Sequence, residues 1–110
     1  MSGISTHVLD ISLGRPAAGI TVAAEMQTDS GWQQVGTGAT DADGRIAALV
    51  SSLNAANYRL VFRTAAYFRT HGKETFYPEI IVVFSVQNPQ QRYHVPLLLS
   101  PFGYSTYRGS

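Results

Sequence analysis

Two histidines near opposite ends of the 110-residue chain are the residues best suited to acid–base chemistry. His7 lies on a predicted strand in which Val8 is expected to point into the core, so that His7 points the other way. His94 comes two residues before Pro96, whose missing N–H predicts a strand that runs at a sheet edge or is locally unpaired. A neutral imidazole can accept a proton from water near pH 7. Residue type alone also fits histidines on ordinary strand faces, so both interpretations stay open.

An arginine and the end of the chain add further polar chemistry. Arg45 follows Gly44 in a predicted turn, and its planar guanidinium can donate two parallel hydrogen bonds to neighbouring acceptors of a flat ring. The chain ends in Tyr107-Arg108-Gly109-Ser110, which brings a phenol, a guanidinium and a hydroxyl. An exposed turn arginine and a frayed polar end would explain these residues equally well.

A metal centre is the main mechanistic alternative, because zinc activates water in many hydrolases. His7 and His94 are the plausible ligands, the chain contains no cysteine, and no carboxylate completes a recognisable zinc set with them. We therefore expect a site without metal or cofactor.

The elements that must position these side chains are predicted to be short β-strands. From Ile20 to Gln27, apolar and polar residues alternate with a period of two, which is typical of a half-buried strand. The dipeptide Asp43-Gly44 predicts a tight turn, because glycine tolerates positive φ. Further strands are predicted at Trp32–Thr40, Arg45–Val50, Asn57–Arg63, Glu79–Val86, Arg92–Ser100 and Tyr104–Arg108.

One helix interrupts these strands. Thr64 is expected to cap a helix that runs from Ala65 to His71 and ends at Gly72. A place at the C-terminal end of this helix explains His71, which we therefore leave out of the site. Seven or eight short strands with one short helix predict an all-β fold, a sandwich of two sheets, formed by a single domain over 1–110.

The composition limits the partners of this domain. A formal net charge of +1 gives no strong field that would favour nucleic acid or a membrane surface. Charged residues make up only 14% of the chain against 45% apolar residues, and Ile80–Phe84 is apolar on both strand faces. The second apolar face predicts burial between subunits. The apolar runs are too short to span a bilayer, and Met1-Ser2-Gly3 shows no secretory pattern, so a cytoplasmic protein is expected.

Three segments together resemble the 5-hydroxyisourate hydrolase family, the transthyretin-related enzymes of urate breakdown. They are Ile4–Asp10, Tyr93–Pro101 and the terminal Tyr107–Ser110, and the family's features can be followed along nearly all of the chain. The resemblance implies the transthyretin-like fold, with two four-stranded sheets and a short helix after the fifth strand. It also implies a homotetramer and a metal-free reaction.

The resemblance further implies a role for each candidate residue. His7, His94 and Arg45 fall on the family's catalytic positions, and His7, Arg45, Tyr107 and Ser110 on its substrate-binding positions. The expected reaction is hydrolysis of 5-hydroxyisourate to 2-oxo-4-hydroxy-4-carboxy-5-ureidoimidazoline, with either histidine as the base. The alternative is a transthyretin-like carrier that binds an aromatic small molecule in a channel between subunits.

Overall fold

The computed structural model describes residues 2–110, and Met1 lies outside the described residues. Within them the chain forms two packed sheets and one short helix, which confirms the predicted all-β, two-sheet sandwich. The strands and the helix are, in chain order, β1 Gly3–Asp10, β2 Arg15–Pro16, β3 Thr21–Thr28, β4 Gly31–Ala39, β5 Arg45–Val50, β6 Ala56–Phe62, α1 Thr64–Thr70, β7 Ile80–Val86, β8 Arg92–Ser100 and β9 Gly103–Thr106.

The two sheets differ in size. One has the strand order β4-β3-β6-β7, and the other has the order β2-β1-β8-β9 with β5 also paired to β1. The expectation of two four-stranded sheets is therefore wrong by one strand, since the two-residue β2 pairs with Leu9 and Asp10 at the end of β1. Counting β2 also makes α1 follow the sixth strand instead of the fifth.

The core lies between the inner faces of the sheets. On β3 the predicted alternation holds only in part: Val22 and Ala24 are fully buried and Thr21 and Gln27 are exposed, but Ala23 on the other face is buried as well. Large side chains from the neighbouring strand β6, from the facing sheet and from α1 fill the same cluster, among them Phe62, Leu97 and Phe68. Burial of each large apolar side chain stabilises the fold by about 1.5–3 kcal/mol.

A buried carboxylate ties β1 to the helix. The Tyr67 hydroxyl donates a hydrogen bond of 2.7 Å to one oxygen of Asp10, and the amides of Ser12 and Leu13 donate to the other. Burial alone would raise the pKa of Asp10, but the hydrogen bonds from Ser12 and Tyr67 outweigh it and lower this pKa below its usual value. These hydrogen bonds fix the end of β1, the strand that carries His7.

The ends of α1 differ in part from the prediction. Thr64 does not cap the helix: Arg63 occupies the cap position without a side-chain bond, and the Thr64 hydroxyl donates to the Tyr77 carbonyl oxygen instead. The C-terminal end is as predicted, because Gly72 follows the capping residue His71 with a φ of +67°. No helix in residues 2–110 has the length and apolar character needed to cross a membrane.

Strand β7 is apolar on both faces, as the sequence indicates. Ile80 and Val82 point into the core, whereas Ile81 and Val83 are 40% and 59% exposed. β7 lies at the edge of its sheet, and these two outward side chains lie open to solvent in the described part of the chain. Burial of that face between subunits stays a prediction.

Candidate active site

The register of β1 with its two neighbours brings the predicted catalytic residues together. Arg45 on β5 lies directly opposite His7, and His94 on β8 lies opposite Ser5. Opposite residues of paired strands point to the same face, as do residues two apart on one strand. All four side chains therefore share the outer face of this sheet, while Thr6 and Val8 on either side of His7 are buried.

These side chains line an open cavity of about 610 Å³. Four of the five residues predicted from the sequence border it: His7, Arg45, His94 and Ser110. No acidic side chain borders it, and Arg92 adds a second guanidinium, so the lining is basic. The complete lining is Ser5, Thr6, His7, Arg45, Ile46, Ala47, Arg92, His94 and Ser110.

Tyr107 is the predicted site residue that lies elsewhere. It is 58% exposed and borders a separate cavity of about 240 Å³ between the edges of the two sheets. The predicted last strand ends early, at Thr106, and beyond it Arg108 stacks over the Tyr93 ring at 4.5 Å and donates to the Gln91 side chain. Within this chain Tyr107 is thus not brought to the histidines, and its role in substrate binding stays a prediction.

The chain end returns to the site through Gly109. Its amide donates a hydrogen bond of 2.8 Å to the His94 carbonyl oxygen. A Cβ atom at this position would lie 2.5 Å from Cδ2 of the His94 ring and 3.2 Å from Cγ of Pro96. Glycine is therefore needed for the backbone to pack against the imidazole, and this contact brings Ser110 to the cavity.

Pro96 lies where the ladder between β8 and β9 is interrupted. β8 lies between β1 and β9, so the predicted sheet edge is wrong, whereas the predicted local gap is present. The ladder with β9 runs from Leu97 to Ser100 and resumes only at the isolated bridge between His94 and Gly109. Because proline has no N–H to donate, the gap falls beside the histidine.

Each imidazole has one nitrogen fixed by a hydrogen bond. Nε2 of His7 lies 2.9 Å from the carbonyl oxygen of Asp43. Since a carbonyl oxygen only accepts, Nε2 carries the hydrogen and neutral His7 keeps its lone pair on Nδ1. Nδ1 of His94 lies 2.8 Å from the Ser5 hydroxyl oxygen. Sequence reasoning missed Ser5, although its place two residues before His7 on the same strand face could have indicated it.

The surroundings favour the uncharged form of His94. Burial lowers the pKa of this imidazole below its ordinary value, and repulsion from a protonated His7, from Arg45 and from Arg92 lowers it further. A general base must be unprotonated before it can act, so the lowered pKa favours that role at neutral pH. Sequence reasoning also missed Arg92, which precedes Tyr93 at the start of β8.

The turn before β5 holds Arg45 and the partner of His7 in place. One carboxylate oxygen of Asp41 accepts hydrogen bonds of 2.9 Å from the amides of both Asp43 and Arg45. Gly44 has a φ of +76°, and a Cβ atom there would lie 2.4 Å from the Val8 carbonyl oxygen. Only glycine allows this approach, so the turn packs directly against β1 beside His7.

Comparison with known proteins identifies the family to which this chain belongs. Residues 4–109 match the family model described as the HIUase/Transthyretin family. The chain belongs to this family. The 5-hydroxyisourate hydrolase of Salmonella dublin is 50% identical over 109 residues, which cover 97% of this chain and 80% of the relative. The family resemblance stated from the sequence is confirmed.

Solved structures of the HIUase/Transthyretin family have the same fold. The 5-hydroxyisourate hydrolase of Klebsiella pneumoniae is 38% identical, covers 100% of both chains and gives a TM-score of 0.89. Transthyretin from Sparus aurata is 34% identical, covers 96% of this chain and 95% of its own, and gives a TM-score of 0.91. Nearly equal TM-scores mean that fold alone does not separate an enzyme from a carrier. The chemistry of the cavity must decide.

A metal site is not evident in the part of the chain that the structure describes. Residues 2–110 contain no group of three or more histidine, cysteine, aspartate or glutamate side chains that could hold a metal ion. Whether the reaction of this family member proceeds without metal stays a prediction.

Proposed function

We propose that this protein hydrolyses 5-hydroxyisourate and opens its ring amide to give 2-oxo-4-hydroxy-4-carboxy-5-ureidoimidazoline. The observation that carries the proposal is that His7, His94 and Arg45 share one basic cavity on one sheet face. The relatives named 5-hydroxyisourate hydrolase support the same reaction, since one of them is half identical to this chain.

In the proposed mechanism, one imidazole takes a proton from water while the water oxygen bonds to the ring carbonyl carbon. The guanidinium of Arg45 stabilises the negative charge that develops on the carbonyl oxygen. The carbon–nitrogen bond of the ring then breaks, the leaving nitrogen takes up the proton from the imidazole, and the opened product carries a carboxylate. The basic lining of the cavity favours both the oxyanion and this acidic product.

The carrier alternative is less well supported. A carrier of an aromatic molecule is expected to have a cavity lined by small or apolar side chains. Here two imidazoles and the guanidinium groups of Arg45 and Arg92 border the larger cavity. A pair of imidazoles beside guanidinium groups suits amide hydrolysis better than the binding of an apolar ring.

The direct test is to generate 5-hydroxyisourate with urate oxidase and to follow the decay of its absorbance. We expect the decay to be faster with this protein, in proportion to its concentration. The matched control is the protein in which His7 and His94 are both alanine, prepared in the same way. Binding of the compound without faster decay would overturn the proposal in favour of a carrier.

The assembly and the location of the protein also remain predictions. A homotetramer would cover the apolar outer face of β7, where Ile81 and Val83 are exposed. Sedimentation at several protein concentrations measures this directly. The cytoplasmic location expected from the sequence stays a prediction as well.

Removing the Asp41 carboxylate is expected to slow turnover by about tenfold, since a small displacement of positioning groups is enough to cost that much. Asp41→Ala leaves the amides of Asp43 and Arg45 without their acceptor, so the partner of His7 and the guanidinium both lose their fixed position. Asp41→Asn retains one acceptor oxygen and should lose less. The control is Asp29→Ala in the exposed turn between β3 and β4. Rates are measured beside thermal unfolding, and full activity of Asp41→Ala would contradict the role of this turn.

The pH dependence should reflect the lowered pKa of His94. Because the folded protein holds this pKa below its ordinary value, the neutral form persists as the pH falls and is lost only below the ordinary range. The acid-side decline of kcat/KM is therefore expected at lower pH than for a free imidazole. Arg92→Gln removes one positive charge and should move the decline to higher pH, whereas Arg69→Gln on α1 should not. An unchanged profile for Arg92→Gln would contradict this account.

A further inference from the structure

Ser5 contacts the imidazole that the proposed reaction uses. Its hydroxyl oxygen lies 2.8 Å from Nδ1 of His94, and both side chains are half-buried. The two residues are 89 positions apart in the sequence and lie opposite each other in the parallel pairing of β1 with β8. The contact is thus set by the backbone register and not by the flexibility of a long side chain.

A serine hydroxyl can meet a neutral imidazole in two ways. It can donate to Nδ1, in which case the hydrogen of His94 is on Nε2 and that nitrogen cannot accept a proton. It can instead accept from an N–H at Nδ1, in which case Nε2 has the free lone pair. Only the second arrangement makes His94 a base at Nε2.

The surroundings of the ring favour the second arrangement. The backbone of Gly109 packs against Cδ2 of His94, and the Ser5 hydroxyl is hydrogen-bonded to Nδ1. Nε2 of His94 makes no hydrogen bond to the described protein atoms. Two guanidinium groups lie close enough to His94 to act on it, Arg45 on β5 and Arg92 on β8. A lone pair at Nε2 is attracted by these cations, whereas an N–H dipole at the same atom is repelled.

We propose that Ser5 is a positioning residue that accepts a hydrogen bond from Nδ1–H of His94 and thereby keeps Nε2 as the proton acceptor of the reaction. The inference rests on the proposed function for its catalytic meaning. It adds an assignment that sequence reasoning left open, since it makes His94 the base that removes the proton from water. His7, whose Nε2–H is held by Asp43, then acts beside it.

The tautomer can be read directly by nitrogen-15 NMR of the labelled protein at about pH 8, where the imidazole is neutral. In wild type we expect the hydrogen of His94 on Nδ1, and in Ser5→Ala we expect it to move largely to Nε2. Ser5→Thr retains a hydroxyl and should retain the wild-type tautomer. A wild-type protein with the hydrogen on Nε2 would overturn the proposal, and this measurement needs neither a variant nor turnover.

Kinetics give the second readout. Ser5→Ala should lower kcat by about 10- to 100-fold with little change in KM, because a wrong tautomer removes the base while the cavity remains. Ser5→Thr should recover most of this loss. The control is Ser30→Ala, which also removes a hydroxyl that contacts another side chain, that of Thr28, but in an exposed turn of the other sheet. Wild-type kcat in Ser5→Ala would overturn the proposal.

The two proposals fail in different ways. If wild type does not hydrolyse 5-hydroxyisourate, the proposed function is wrong, yet the NMR experiment still reports the tautomer that Ser5 sets. If wild type is active but the His94 tautomer is the same in wild type and Ser5→Ala, the function stands and the role of Ser5 is wrong.

Discussion

Replacing His94 with alanine is expected to lower the rate of 5-hydroxyisourate hydrolysis by about 10²–10⁴-fold, the usual contribution of a lost acid–base group. The ring lies at the outer face of β8, so the substitution leaves the core intact and the protein should stay folded. His7→Ala should fall in the same range, because its imidazole borders the same cavity. Both are measured as turnover of enzymatically generated 5-hydroxyisourate, with circular dichroism to verify folding.

The double variant distinguishes one shared task from two separate ones. If both histidines act on one water, the loss in the double variant should be far smaller than the product of the two single losses. The control is His71→Ala, which removes an imidazole that donates to the Tyr67 carbonyl oxygen at the end of α1. Near-normal turnover of both single variants would remove the proposed mechanism.

Replacing Arg45 with alanine is expected to cost about 2.7–4 kcal/mol of transition-state stabilisation, or about 10²–10³ in kcat, the typical effect of losing an oxyanion partner. Arg45→Lys keeps the charge but loses the planar pair of donors, so its activity should also fall well below wild type. The side chain is exposed at the edge of the cavity, and little effect on stability is expected.

The steady-state constants separate binding from catalysis at Arg45. A lower kcat with KM nearly unchanged is the expected pattern for a group that contacts the developing oxyanion. A raised KM with kcat intact would instead assign Arg45 to substrate binding alone. Arg69→Ala on α1 serves as the control, since this arginine is exposed and distant from the cavity lining.

Most of the strands could be predicted, because their side-chain pattern reflects the packing directly. The predicted Arg45–Val50 and Arg92–Ser100 agree with β5 and β8. The missed β2 has only two residues, Arg15 and Pro16, which is too short for any period. It forms because the chain turns back after Asp10, so that Arg15 pairs with Asp10 and Pro16 with Leu9, and no side-chain pattern marks so short a pairing.

The candidate site was predictable only in part. Alternation on β1 correctly placed His7 on the face away from the core-facing Val8. Arg45 was found through the family resemblance, which places an arginine directly after the turn glycine. The direction of Tyr107 was not predictable, since it depends on how Arg108 packs on Tyr93 after the strand has ended. Ser5 was missed because its importance comes from a contact with a strand 89 residues away, which no local pattern contains.

The same contact has a consequence for how the protein becomes active as it folds. β1 and β8 form the one parallel pair among the strand pairs of residues 2–110, and they join opposite ends of the chain. Pairs such as β3 with β4 form early, because the loops that connect their strands are short. The pairing of β1 with β8 closes a long loop, and the entropic cost makes it one of the last pairings to form. A partly folded chain can therefore have β3 and β4 paired while the imidazoles of His7 and His94 are still apart. Recovery of catalysis during refolding should then follow the slowest structural phase, which makes turnover a sensitive indicator that the whole sandwich has closed.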